Sequence, residues 1–175
     1  MISVIDTSVL ITFYELNCLH LFNQLFNEVY IPVTVEQQFL KRDTDKRLAF
    51  LLTFYEENKW FKKCQSYEAD MMQILSTMKN IDEGERETMA QYKSLEQAMK
   101  IVEGNLVCIL DERIARKVAK NMDIRMNGTL YLLAQLDLIG HIQYAKVVED
   151  LKVRRRFSLD AIKEAYGNAK MDRGI

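Results

Sequence analysis

The chain has 175 residues, 49% of them apolar and 28% charged, which suits one core-bearing domain with a solvated surface. Its net charge of −1 argues neither for nor against a nucleic-acid partner, so local patches must decide. Three well-separated cysteines exclude a disulfide scaffold or a Cys-rich zinc site, and no apolar run approaches the ~20 residues of a membrane span. The start of the chain lacks a basic region followed by a long apolar one, so a reducing, cytoplasmic setting is expected.

The elements read in order as alternating strands and helices. Ile2 to Ile5 is a buried strand that stops at Asp6. Thr7 or Ser8 is expected to cap a short helix carrying Leu10, Phe13, Tyr14 and Leu16. Leu19 to Phe26 shows an apolar helical face. Val29 to Ile31 is a short strand closed by Pro32, and Thr34 is placed to cap a helix through Val35, Phe39 and Leu40. A charged connection, residues 41–47, leads to a helix from Leu48 to Tyr55. Trp60 to Cys64 holds a short strand and Tyr67 to Met78 a helix.

Ile81 opens a long helix in which Asp82 and Glu85 have the spacing of a capping box. Leu106 to Leu110 is the clearest buried strand, and it ends in Asp111-Glu112. A helix follows to Met122, then a strand over Ile124 to Met126 and a helix begun by Gly128-Thr129. Ile142 to Leu151 is helical, and Ser158 caps a last helix from Leu159 to Tyr166. The alternation predicts an α/β fold with a mainly parallel sheet, which sets the carboxyl ends of all strands along one edge.

Two strands end in acids on that edge, at Asp6 and at Asp111-Glu112, and Glu85 sits in the first turn of a helix that can aim at the same place. Each acid also has a plain structural role open to it: Asp6 as a turn residue, Glu85 as a capping-box member, Asp111 as an N-cap. Gathered in one crevice, the three would repel unless protons or cations neutralised them. Oxygen-rich anionic sites suit Mg²⁺ or Mn²⁺, which can activate water against a phosphodiester.

Val4-Ile5-Asp6-Thr7-Ser8, Ile31-Pro32 with Val35, Asp82-Glu83-Gly84-Glu85-Arg86-Glu87, Leu110-Asp111-Glu112 with Ala115-Arg116, and Gly128-Thr129-Leu130 together resemble the PIN-domain family. The ordered match runs over nearly the whole chain, with the likeness lying in a bacterial and archaeal branch. The resemblance implies a three-layer α/β/α sandwich over residues 1–175, with the C-terminal helices of 142–169 packed on it or extending it. It implies a Mg²⁺- or Mn²⁺-dependent ribonuclease of single-stranded RNA, an activity of many members that include the toxins of toxin–antitoxin pairs. It matches Asp6, Glu85 and Asp111 to the catalytic, metal-binding acids. Ser8, Glu112 and Thr129 fall at supporting positions, and a protein antitoxin or a second copy of the chain are implied partners.

One position departs from the pattern. Family members usually carry glutamate three residues after the valine of the second motif, and here it is Gln38. Glu36 is turned by about 200° from it on a helix. A neutral amide is a poorer Mg²⁺ ligand than a carboxylate, so a catalytically weak nucleic-acid- or protein-binding module is the alternative function. Candidate substrate contacts are Lys41, Arg42, Lys46 and Arg47, and near the C-terminus Lys152 with the denser run Arg154-Arg155-Arg156 beside Phe157. Arg116 stands one turn beyond Glu112, so an ion pair between them is expected. A phosphatase of the haloacid-dehalogenase kind needs a second aspartate at the position of Ser8, and a receiver domain needs an early adjacent acid pair, so phosphotransfer ranks low.

Overall fold

The computed structural model describes residues 1–41, 43–64, 73, 75–76, 80–98, 104–155 and 157–175, with the backbone alone for 153–155. The helix expected over Tyr67 to Met78 falls largely outside the described residues, as do Arg42 and Arg156.

The elements run β1 (Ile2–Ile5), α1 (Thr7–Glu15), a 3-10 helix (Leu19–Gln24), β2 (Glu28–Ile31), α2 (Val33–Leu40), α3 (Thr44–Glu57), β3 (Phe61–Lys63), α4 (Glu83–Ala98), β4 (Leu106–Ile109), α5 (Arg113–Asn121), β5 (Met126–Asn127), α6 (Thr129–Leu138), α7 (Tyr144–Arg155) and α8 (Leu159–Asp172). The described strands form one sheet, ordered β3-β2-β1-β4-β5, with every neighbouring pair parallel.

The two-residue period of a strand divides the core between the two faces. Ile5, Val29, Ile31, Val107 and Ile109 point to one face and pack with α1, α2, α3 and the three C-terminal helices. Val4, Leu106, Cys108 and Leu110 point to the other and pack with α4 and α5. Helices cover both faces, which is why β4 is buried along its full length and reads as an unbroken apolar run. The chain is therefore the α/β/α sandwich that the sequence predicts.

Several local expectations shift. Asp6, not Thr7 or Ser8, caps α1: its backbone is extended (φ −88°, ψ 175°) and its short carboxylate reaches the amide of Val9 at 2.9 Å. Leu19 to Gln24 winds as a 3-10 helix. Helix α2 starts at Val33, directly after Pro32, and the Thr34 amide instead donates to the buried Glu87 carboxylate of α4 at 2.6 Å. A contact between residues 53 positions apart is invisible to local patterning.

Helix α3 begins at Thr44 rather than Leu48, after Asp43 in a left-handed conformation. Arg47 thereby turns inward. Its guanidinium donates to the Phe39 carbonyl at 2.7 Å and lies over the rings of Phe39 and Tyr14, which removes it from the substrate candidates. Strand β5 falls at Met126–Asn127, later than expected. At the C-terminal end Gln135 of α6 donates to Tyr131 and to the Ala169 carbonyl, and accepts from Arg173, tying α8 down on α6.

A candidate active site at the carboxyl edge of the sheet

Strands β1 and β4 lie side by side at the centre of the sheet, with Ile5 in register with Ile109. The chain leaves β1 toward β2 and leaves β4 toward β5. The gap between their carboxyl ends is thus a topological switch point, the place where open parallel sheets bind ligands. Asp6 follows β1 and Asp111 follows β4. A cleft of about 570 Å³ opens there, lined among others by Asp6, Ser8, Gln38, Lys41, Glu85 and Asp111.

Asp6 is 4% exposed. Besides the Val9 amide, it accepts from the Ser8 hydroxyl, at 2.9 Å on one oxygen and 3.2 Å on the other. Burial, and then the neighbouring charge of Asp111, push its pKa up to about 7 against these hydrogen bonds, with Glu85 adding in the same direction. Glu85 is 5% exposed. It forms the capping box the sequence suggests: the Asp82 amide donates to its carboxylate at 3.1 Å, and its own amide donates to Asp82 at 2.9 Å. Burial outweighs that bond and raises its pKa to about 7, with Asp82 and Glu112 adding to the rise.

Asp111 is fixed from the next helix. The Thr129 amide donates to one of its oxygens at 2.8 Å and the Thr129 hydroxyl to the other at 2.6 Å. This draws Asp111 away from the N-cap role open to it, and Glu112 caps α5 instead, accepting from the Arg113 amide. With Glu112 so engaged, Arg116 turns elsewhere and donates to the Leu110 carbonyl at 3.0 Å. The expected Glu112–Arg116 ion pair does not form.

Gln38 reaches the cleft from α2, and its amide oxygen accepts the Thr7 hydroxyl. Glu36 faces elsewhere, taking a hydrogen bond from Tyr55 at 2.8 Å and an ion pair from Lys63 at 2.7 Å. Of the basic candidates, Lys41 lines the cleft and Lys46 is solvent-exposed. Arg154 and Arg155 end α7, and Arg156 lies outside the described residues. Thr7, Asp82 and Phe157 also line the cleft. Patterning gave the first two only capping roles, and nothing local showed that Phe157 would fold back to this edge.

The donors around the cleft are oxygens, and no ion pair compensates Asp6, Glu85 or Asp111 among the described residues. That chemistry fits a hard divalent cation. The spacing is looser: among the described residues no three His, Cys, Asp or Glu side chains are grouped so as to hold a metal ion. The repulsion that raises Asp6 shows that its charge and that of Asp111 interact across the cleft.

Residues 2–169 match a family described as the PIN domain. No curated protein and no solved structure matches the chain. Among the described residues no helix is long and apolar enough to cross a membrane.

Proposed function

The chain belongs to the PIN-domain family, and from that premise we propose that it is a metal-dependent endonuclease of single-stranded RNA. PIN domains have a nuclease-type fold, generally depend on divalent metal and point to nucleic-acid binding. The observation that carries the reading is the pair of buried, uncompensated carboxylates, Asp6 and Glu85, beside Asp111 at the switch point of the sheet.

Asp6, Glu85 and Asp111 hold Mg²⁺ or Mn²⁺ in this reading. The cation, when bound, supplies an activated water and stabilises charge on the phosphodiester. Ser8 and Thr129 orient the outer acids through the hydrogen bonds described above. Lys41 offers the cleft a positive charge for the phosphate backbone. The packing of α8 on α6 supports reading residues 1–175 as one domain.

Mn²⁺-stimulated cleavage of single-stranded RNA by the purified protein, abolished by Asp6→Asn, is the expected result. Cleavage unchanged in that variant sinks the assignment. A second reading, a catalytically weak module that binds RNA or an antitoxin-like protein, is favoured by Gln38. Its amide oxygen is engaged by Thr7 in place of the family's glutamate. Binding without metal-dependent turnover would select it.

A further inference from the structure

A second, wider hollow of about 990 Å³ adjoins the acid cleft, and Asp111 and Phe157 belong to the walls of both. Arg113 and Arg116, one turn apart on α5, line the wider hollow near Asp111. Arg116 is half-buried, and one nitrogen of its guanidinium donates to the Leu110 carbonyl. No carboxylate lies within ion-pairing distance of it among the described residues. Gly128 makes room for this arrangement. A Cβ there would stand 2.8 Å from the Arg116 Nη1 and 3.1 Å from the Asp111 Oδ1.

The result is a planar, permanently charged fork, held in place by a backbone carbonyl and left with donors to spare, beside the acid that follows β4. A neutral carbonyl fixes the side chain without cancelling its charge. Such a fork matches the paired oxygens of a phosphate. Asp160 and Glu164 of α8 also line the hollow, and their charge disfavours an anionic strand beside them. Phe157, at the join of the two hollows, offers a face on which a base can stack.

We infer that Arg116 is a phosphate anchor, binding the RNA strand where the wider hollow meets the acid cleft. This rests on the proposed nucleic-acid function, so the test separates the two. Binding of a fluorescent oligouridylate is measured in Mg²⁺ across a salt series, using the full chain carrying Asp6→Asn to suppress cleavage. Adding Arg116→Gln, which removes the charge and keeps a polar side chain, should weaken binding about tenfold. It should also reduce the slope of log affinity against log salt by about 0.7, the loss of one phosphate contact. Adding Arg116→Lys should keep the slope. Equal affinity and slope with Arg116→Gln overturn the inference and leave the function standing, as does weaker binding at an unchanged slope, which marks a structural role. No binding by the Asp6→Asn protein removes the inference together with its premise.

Discussion

Gln38 lies directly on Gly84. A Cβ at Gly84 would come within 2.5 Å of the Gln38 amide oxygen, the same atom that accepts the Thr7 hydroxyl. The absent side chain in the first turn of α4 thus admits the end of α2 to the turn that presents Asp6. Three elements meet at this point, and the glycine is the residue that lets them meet.

Gly84→Ala is expected to push the Gln38 amide aside and break its bond to Thr7, at a cost of about 1 kcal/mol that offsets alanine's helix preference. A Gln38→Ala background removes the three atoms nearest to that Cβ, and the same substitution should then stabilise by up to about 1 kcal/mol. Urea denaturation of the four proteins in this cycle checks the reversal of sign. Equal effects in both backgrounds would show that the two residues are uncoupled.

Gln38→Glu adds a carboxylate to a cleft already rich in them. Without divalent cations the variant should be less stable than the parent at pH 8, through like-charge repulsion. With Mn²⁺ it should gain more in thermal midpoint than the parent does, because a further charged oxygen improves the cation's binding to the folded state. Calorimetry with and without Mn²⁺ measures both, and an equal Mn²⁺ gain in the two proteins counts against a cation in this cleft.

Asp6 and Glu85 have pKa values raised to about 7 in the folded chain, whereas unfolded carboxylates titrate near ~4. Between those values the folded state binds more protons than the unfolded state, so stability falls as pH rises. It is greatest below the unfolded values and levels off above about 7. In chelator, the contribution of these two acids should appear as a drop in thermal midpoint across that window. Asp6→Asn should shrink the drop to the part that Glu85 contributes. A parent and a variant with the same pH profile would contradict the assignment of the shift to Asp6.

Arg47 holds the Phe39 carbonyl and covers two aromatic rings, so Arg47→Ala should cost about 2–4 kcal/mol of stability. Its buried position predicts unchanged RNA affinity in the fraction that remains folded. Selective loss of RNA binding at full stability would restore it to the substrate surface.

The sequence by itself determined the layered fold and which residues stand at the ends of β1 and β4. Strands buried on both faces need largely apolar runs, and those runs end in acids, at Asp6 and after Leu110. The Asp82–Glu85 box was legible for a similar reason, since both partners lie within one turn. Tertiary structure decided the rest. Arg47 is a core residue because α3 starts a turn earlier than its apolar pattern suggests, and Glu87 serves α2 across 53 positions. Thr129 binds both oxygens of Asp111, Glu112 caps α5, and Arg116 is held by the Leu110 carbonyl, an arrangement made across separate elements. Polar side chains with several partners in reach choose among them by position in space, and periodicity along a chain records only which face a residue is on.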